Sequence, residues 1–371
     1  GSRDHEGLHK AVHTSISITF ILAVAFTALG VLGADTLLRL QSTPEDVFPE
    51  AHTYLTIYFS GLLGLLLYNM GSGILRAVGD SRRPLYFLVF SAVINTALDL
   101  IFVVVLGMGV EGVAYATIIA QFLSALLTLF VLTRDHAPYG IHWNRLCIDL
   151  PTLKRIISIG LPSGIQQAIT SFSNVFVQGY INFFGSACMA GWSSYNKLDA
   201  FTLIPMQAIA MASTTFVGQN YGAQKIDRAR KGVRDAQILS IIITILCSVV
   251  MVAFARPLST MFSNEKEVLD FSQHFITLQA PFYFLMCYNQ TYSGALRGIG
   301  KSTIPMLLML FSFVLFRQTY LFVIKNFFGN PLTGIAVAYP VGWAMCSLLL
   351  TIYYRTTILG KRSAAPQAEQ A

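Results

Sequence analysis

Ser72-Gly-Ile-Leu-Arg-Ala-Val-Gly-Asp-Ser-Arg-Arg-Pro84 returns later in the chain as Ser293-Gly-Ala-Leu-Arg-Gly-Ile-Gly-Lys-Ser-Thr-Ile-Pro305, with seven of the thirteen positions identical. The same register carries Gly1, Lys10 and Val12 onto Gly222, Lys231 and Val233. Slipped by one residue, it carries Gly112, Ala114 and Ala116 onto Gly334, Ala336 and Ala338. The chain therefore contains two copies of one pattern. Both copies of the thirteen-residue stretch sit between long apolar runs, so those runs decide what the repeated unit is made of.

Of the 371 residues, 54% are hydrophobic and 12% charged, with a mean hydropathy of +0.60. Soluble domains carry about 25% charged residues, so much of this surface must face lipid. A bilayer core of about 30 Å requires roughly 20 apolar residues per helix. Ten such runs are present, near 12–34, 51–75, 85–107, 111–133, 153–184, 186–217, 233–255, 269–296, 304–327 and 333–354. None alternates with a strand's period, and Gly and Pro are scattered through them, as spanning helices tolerate. The expected fold class is an all-α integral membrane protein, a polytopic bundle of ten spans. The first run lacks a following small-residue cleavage site and does not read as a signal peptide.

Cytoplasmic loops are enriched in Lys and Arg. Most of the 25 such residues fall in one alternate set of connections, including Arg76, Arg82, Arg83, Arg134, Arg145, Lys154, Arg155 and the Lys225–Arg234 segment. The other set holds only Arg39, Arg256, Lys266 and Lys325. Both termini are therefore expected in the cytoplasm and the protein in the cell's inner (plasma) membrane. The net charge of +7 follows topology rather than a single basic stripe, so the lipid bilayer is the expected partner and nucleic acid is not. Cys147, Cys188, Cys247, Cys287 and Cys346 contain no C-x-x-C pair and read as unpaired.

The repeat spans an even number of helices, so its copies should be parallel, related by an axis along the membrane normal. The second copy has two long apolar segments before Gly222, whereas the first begins at the equivalent of Gly222. A complete design would have twelve helices, with roughly 70 further residues before Gly1. The expected organisation is a first lobe over 1–133, a cytoplasmic linker over 134–152, a second lobe over 153–355 and a disordered tail over 356–371. That gives lobes of four and six helices here, and six plus six in the complete design.

Leu75-Arg-Ala-Val-Gly-Asp-Ser-Arg-Arg-Pro84, Asn95-Thr-Ala-Leu-Asp99, Gly160-Leu-Pro162, Phe216-Val-Gly-Gln-Asn-Tyr-Gly222 and Gly294-Ala-Leu-Arg-Gly298 together resemble the multidrug and toxic compound extrusion (MATE) family of secondary transporters, from about residue 1 to Tyr354. The resemblance implies twelve helices in two six-helix lobes, with residue 1 in the loop after the second helix. It also implies a V-shaped antiporter that exports organic, often cationic, drugs in exchange for H+ or Na+ by alternating access. Neither catalysis nor a cofactor is implied, and no obligate protein partner.

Ionisable groups inside hydrocarbon cost about 2.5–3.5 kcal/mol on insertion scales and mark functional or paired positions. Asn95 and Asp99 are four apart and share a helix face; a carboxylate beside an amide suits a proton or sodium. They match the Asn-x-x-x-Asp pair with which the resembled family binds its coupling cation, together with a first-helix Asp that has no counterpart in the ten runs. Lys197 and Asp199 are a second candidate for substrate or coupling; two apart, they point different ways, so Lys197 is expected to reach another lobe-lining residue. Arg317 requires a buried partner, yet where relatives carry Glu-Pro this chain has Tyr339-Pro340. Relatives' acids on helices seven and ten align with Thr170 and Met286, which argues against a carboxylate-rich sodium site in the second lobe. Polar side chains suited to orienting an amphipathic drug are Gln166, Gln167, Ser171, Asn174, Gln178, Tyr288, Asn289 and Gln290; the same residues could serve as interhelical hydrogen bonds.

His5, His9 and His13 are spaced for one helical face and could approach a metal, although a solvated helix entry accounts for them equally simply, and no metal is expected. Gly298-Ile-Gly-Lys-Ser-Thr303 imitates a phosphate loop but lacks its first glycine, position 295 being Ala, and no strand pattern precedes it. Two other functions fit the residues less well. A flippase for lipid-linked precursors needs a cationic cavity, for which only Lys197 and Arg317 are available. A membrane-embedded transferase needs clustered acids at one membrane face, and none occurs.

Overall fold

The computed structural model describes residues 4–40, 43–134, 138–329 and 331–360; Asp135, His136, Ala137 and the tail from Lys361 onward lie outside the described residues. Its order is α1 (His5–Leu40), α2 (Phe48–Ser60), α3 (Leu62–Ala77), α4 (Arg82–Asp99) continuing as a π-helical turn (Leu100–Val105), and α5 (Gly109–Arg134). After a 3-10 turn (Trp143–Arg145) come α6 (Leu150–Asn182), α7 (Ser186–Gly222), α8 (Ile226–Ala253) and the short α9 (Ala255–Ser259). The remainder is α10 (Lys266–Gln279), a 3-10 turn (Ala280–Phe282), α11 (Tyr283–Gly298), α12 (Thr303–Leu310), a second π-helical turn (Phe311–Phe316), α13 (Arg317–Phe327) and α14 (Leu332–Thr356). No strand occurs among the described residues.

Each of the ten apolar runs falls on helical chain, but the expected count of ten spans is not reached when helices are judged by length and apolarity. Seven pass among the described residues, or eight if α2 and α3, bent by 46°, are taken as one span. The shortfall has a chemical cause. α6 carries Gln166, Gln167, Ser171, Ser173, Asn174 and Gln178 among its apolar residues, and the α10–α11 segment is interrupted at Pro281 and carries Gln279, Asn289 and Gln290.

The repeated stretch has the same local geometry in both copies. Gly79 (φ +98°) and Gly300 (φ +80°) end α3 and α11 in the left-handed region that a Cβ disfavours. The Gly79 N–H bonds Arg76 O and the Asp80 N–H bonds Leu75 O, both at 2.9 Å. Gly300 to Arg297 O at 2.9 Å and Lys301 to Leu296 O at 2.8 Å repeat that arrangement. This is the Schellman termination, which satisfies the last carbonyls of the helix. The phosphate-loop lookalike is therefore the end of α11, a turn and the start of α12.

The chain divides into two compact units, one running to Ile156 and the other from Ile157. In the first unit α3 packs on α5 and α1, and α4 on α5, around Val12, Ile16, Leu67, Leu75, Leu129 and Leu132. In the second, α11 packs on α7, α8 and α14, with Trp192, Met206, Phe275, Ile276, Leu296 and Ile335 in its core. Close approach of α11 to α7 depends on Gly294 and Gly298. A Cβ at Gly294 would lie 2.6 Å from Ala210 O, and one at Gly298 2.7 Å from Thr214 O. Small residues one turn apart let backbones meet where no hydrophobic effect draws helices together. Gly73, the first-copy counterpart of Gly294, faces nothing within 4 Å. Large apolar side chains such as Leu32, Val104, Val105 and Phe183 stand exposed on the outer faces, the surface expected of a body bathed in lipid.

Candidate cation and substrate site

In the first unit, α4 brings Asn95 and Asp99 onto one half-buried face, and Asp99 is the last residue before the π-helical turn. α4 is held against α5 by Ser91, whose hydroxyl donates to Ala120 O at 2.6 Å. Asn95 Nδ2 and Asp99 Oδ1 are both buried without a hydrogen-bond partner among the described residues. One is a donor and the other an acceptor, and leaving such groups unsatisfied costs about 1–3 kcal/mol each. The donor set of carboxylate and amide oxygens fits a proton or a small hard cation. π-helical turns inside α-helices are concentrated at functional positions.

The second unit contains a larger polar assembly, built around the other π-helical turn. The wide turn leaves Phe313 O available to Ser173 of α6, whose hydroxyl donates to it at 2.6 Å. That fixes the two acceptor positions of Ser173 toward α13. They receive Arg317 Nη2 at 2.7 Å and Gln318 Nε2 at 3.2 Å, which completes the hydroxyl's bonding capacity. Arg317, 2% exposed, also donates to Asn174 Oδ1 at 3.1 Å and lies 4.5 Å from the centre of the Tyr339 ring. Its Nε has no partner among the described residues. The buried guanidinium is thus held by neutral oxygens and a ring face rather than by a carboxylate. Tyr339 contributes both its ring and a hydroxyl that donates to Asn174 Oδ1 at 3.4 Å.

Across α7, α10 and α11 runs a second chain of polar groups. Tyr195 donates to Gln279 Oε1 at 2.8 Å, its oxygen lies 3.1 Å from the Tyr283 hydroxyl, and Asp199 sits beside both phenols. Asp199 Oδ1 is buried with no hydrogen-bond partner among the described residues. Once Tyr195 has given its hydrogen to Gln279, only the Tyr283 hydrogen remains for two acceptors, the Tyr195 oxygen and the Asp199 carboxylate. Gln279 Nε2 is also buried without a partner among the described residues, so the further hydrogen this chain can use is available from that amide or from a proton on Asp199.

The structure brings together some of the sequence-derived candidates and separates others. Arg317 and Asn174 meet directly, and Asp199 belongs to the phenol chain. Lys197 does not reach an acid: it is exposed, with Nζ 5.1 Å from the centre of the Phe262 ring. Asn289 is a buried tie between α11 and α14, donating to Trp343 O at 3.4 Å and accepting from Ser347 at 2.9 Å. Gln178 donates to Asn182 Oδ1 at 2.8 Å on its own helix, and Tyr288 packs on Tyr292. Gln166 and Gln290 are half-buried and Gln167 is exposed. Ser173, Gln318, Tyr195, Gln279 and Tyr283 were not anticipated, although Tyr195 with Asp199 and Gln279 with Tyr283 are polar pairs four apart within apolar runs.

The MatE family model matches residues 1–101 and 162–323. The probable multidrug resistance protein YpnP of Bacillus subtilis is 29% identical over 360 residues, covering 96% of this chain and 79% of that one. The probable multidrug resistance protein NorM of Thermotoga maritima is 24% identical over 366 residues, covering 96% and 76%. Among solved structures, a MOP superfamily transporter from Pyrococcus furiosus superposes with a TM-score of 0.92 at 23% identity, covering 98% of this chain and 82% of that one. An outward-facing multidrug resistance MATE family transporter gives 0.90 at 23%, covering 96% and 80%. The chain belongs to the MatE family and is a multi-pass membrane transporter, not an enzyme.

Proposed function

We propose that this protein is a secondary active multidrug exporter that moves organic, cationic compounds outward in exchange for inward H+ or Na+ by alternating access. The observation carrying the proposal is the Asn95–Asp99 pair: a partnerless buried donor and acceptor, one helical turn apart, at the entrance to a π-helical turn. The multidrug resistance names of its relatives support the choice of substrate. Cation entry at Asp99 would satisfy its orphaned carboxylate oxygen and so favour one arrangement of α4 over another, which is what coupling requires. In the second unit Asp199 is the coupling candidate, and Arg317 with Asn174 orients the polar part of a substrate. The chain would act with ten spans, two lobes, both ends on the cytoplasmic side of the cell's inner membrane, and no obligate protein partner. With Lys197 directed toward Phe262, Arg317 alone would be left to hold the phosphates of a lipid-linked precursor, which favours drug export over flipping.

The test is export of a cationic dye from efflux-deficient cells, and from everted vesicles with a proton or a sodium gradient imposed separately. Efflux that follows one gradient and is lost in Asp99→Asn supports the reading and names the ion. Efflux that persists when both gradients are collapsed rejects it.

A further inference from the structure

We propose that His9, His13 and His142 form a binding site for a divalent cation of the zinc, nickel and copper class, which staples the segment between α5 and α6 onto the start of α1. His9 and His13 lie four apart on α1, so their imidazoles share a face, and the rings stack with centroids 3.8 Å apart. His142 comes from far along the chain, in extended conformation just before the 3-10 turn, with its ring 5.7 Å and 6.1 Å from the other two. One nitrogen from each ring lies within 4.8 Å of the others.

The loop is placed also by contacts that do not involve the imidazoles. Ile141, 2% exposed, is in the core of the first unit, and its N–H bonds Leu132 O at 2.9 Å. The Asp149 N–H donates to Thr14 Oγ1 at 3.1 Å, and Ser17 Oγ donates to Cys147 O at 3.4 Å. The imidazoles are therefore brought together by the fold itself rather than by their attraction to one another.

Their hydrogen bonds also select the tautomer a metal needs. His13 Nδ1 lies 2.8 Å from His9 O, and His142 Nδ1 lies 3.2 Å from Gly140 O. A carbonyl accepts only, so both Nδ1 atoms carry hydrogen and both Nε2 atoms carry lone pairs. His13 Nε2 indeed accepts the His142 backbone N–H at 3.0 Å. A backbone carbonyl on the non-ligating nitrogen is the outer-shell arrangement that orients metal-bound histidine. His9 Nε2 is buried with no partner among the described residues. An all-imidazole set without a carboxylate selects a borderline transition ion over calcium or magnesium, and three protein nitrogens leave a fourth position for water.

Binding requires two adjustments. Rings that share one ion diverge from it, so His9 must leave its stack on His13. His13 Nε2 must also exchange the His142 N–H for the metal. Arg145, in the same loop, acts electrostatically on His9 and opposes an added cation. These costs weaken binding relative to a site already set for the metal. His5, which the spacing of the sequence suggested as the third ligand, is exposed and is not a member of the group; its place is taken by His142.

The test is titration of tag-free purified protein with Zn2+ against a chromophoric chelator near neutral pH, followed by Co2+ for its visible ligand-field spectrum. The expected result is one equivalent bound. Affinity should fall about tenfold or more in His9→Ala and in His142→Ala, stay unchanged in His5→Ala, and weaken at acidic pH, where protons compete for the lone pairs. His142 is an exposed loop residue, so His142→Ala should elute as the parent protein does. Absence of stoichiometric binding to the parent protein, or undiminished binding by His142→Ala, overturns the proposal. Dye export has no part in this readout, so the result stands apart from the transport function.

Discussion

Replacing Ser173 by Ala isolates what holds a buried guanidinium in an apolar lobe. The hydroxyl makes three bonds: to Phe313 O at 2.6 Å, from Arg317 Nη2 at 2.7 Å and from Gln318 Nε2 at 3.2 Å. Hydrogen bonds to charged groups contribute about 1.5–3 kcal/mol and neutral ones about 1 kcal/mol, so the Arg317 bond should dominate. Arg317 Nη2 keeps Asn174 Oδ1 at 3.1 Å, which moderates the loss. Ser173→Ala is expected to cost about 2–4 kcal/mol, of which about 2 kcal/mol depends on the charge at position 317. A double-mutant cycle with Arg317→Met extracts that part. Unfolding of the purified protein in mixed micelles by titration with a denaturing detergent provides the stabilities. Ser171→Ala, at an exposed position two residues away, should change stability by no more than about 0.5 kcal/mol. Additivity of Ser173→Ala and Arg317→Met within about 0.5 kcal/mol would refute the view that the serine, rather than the ring of Tyr339, anchors the guanidinium.

Gly294→Ala places a Cβ 2.6 Å from Ala210 O; pushing α11 off α7 should cost about 1–3 kcal/mol and reduce folded yield on size-exclusion chromatography, and normal yield and stability would count against the close-packed interface. If Asp199 takes up protons through the phenol chain, Asp199→Asn should abolish dye efflux while Tyr283→Phe slows it and changes its dependence on pH. An unaltered pH profile in Tyr283→Phe would remove the phenols from the pathway. Asp149 accepts the Thr152 hydroxyl at 2.6 Å and the Thr152 N–H at 2.9 Å, and these bonds hold its carboxyl below the usual carboxylate range. A depressed value means the cap is fully stabilising above the unfolded carboxylate's pKa of about 3.9 and is lost as pH falls through the folded value. Amide exchange at the start of α6, normalised for intrinsic rate, should accelerate only in that acid window and be fast throughout in Asp149→Ala; a start of α6 indifferent to both would rule out the cap.

Much of the fold was legible before any tertiary contact was known. Apolar runs set where the helices lie, because lipid permits only internally bonded backbone. The thirteen-residue stretch at 72–84 and 293–305 marked equivalent places in the two halves because its identities keep one register. Asn95 with Asp99 could be read as one candidate because residues four apart on a helix are always neighbours. The number of spans was less legible: by length and apolarity seven or eight pass among the described residues, because the polar side chains of α6 and of the α10–α11 segment lower their mean apolarity.

The partners of the buried charges were decided only by the packing of distant helices. Arg317 was expected to need a buried partner that the sequence could not name, and Ser173, 144 residues earlier, accepts from it. The third imidazole beside His9 and His13 is His142, whose N–H bonds a ring 129 residues away, rather than His5 one turn along the same helix. Helical periodicity reaches only about four residues along the chain. Which hydroxyl meets which cation, and which loop closes over which histidine, depends instead on how two apolar surfaces dock, and sequence spacing carries no record of it.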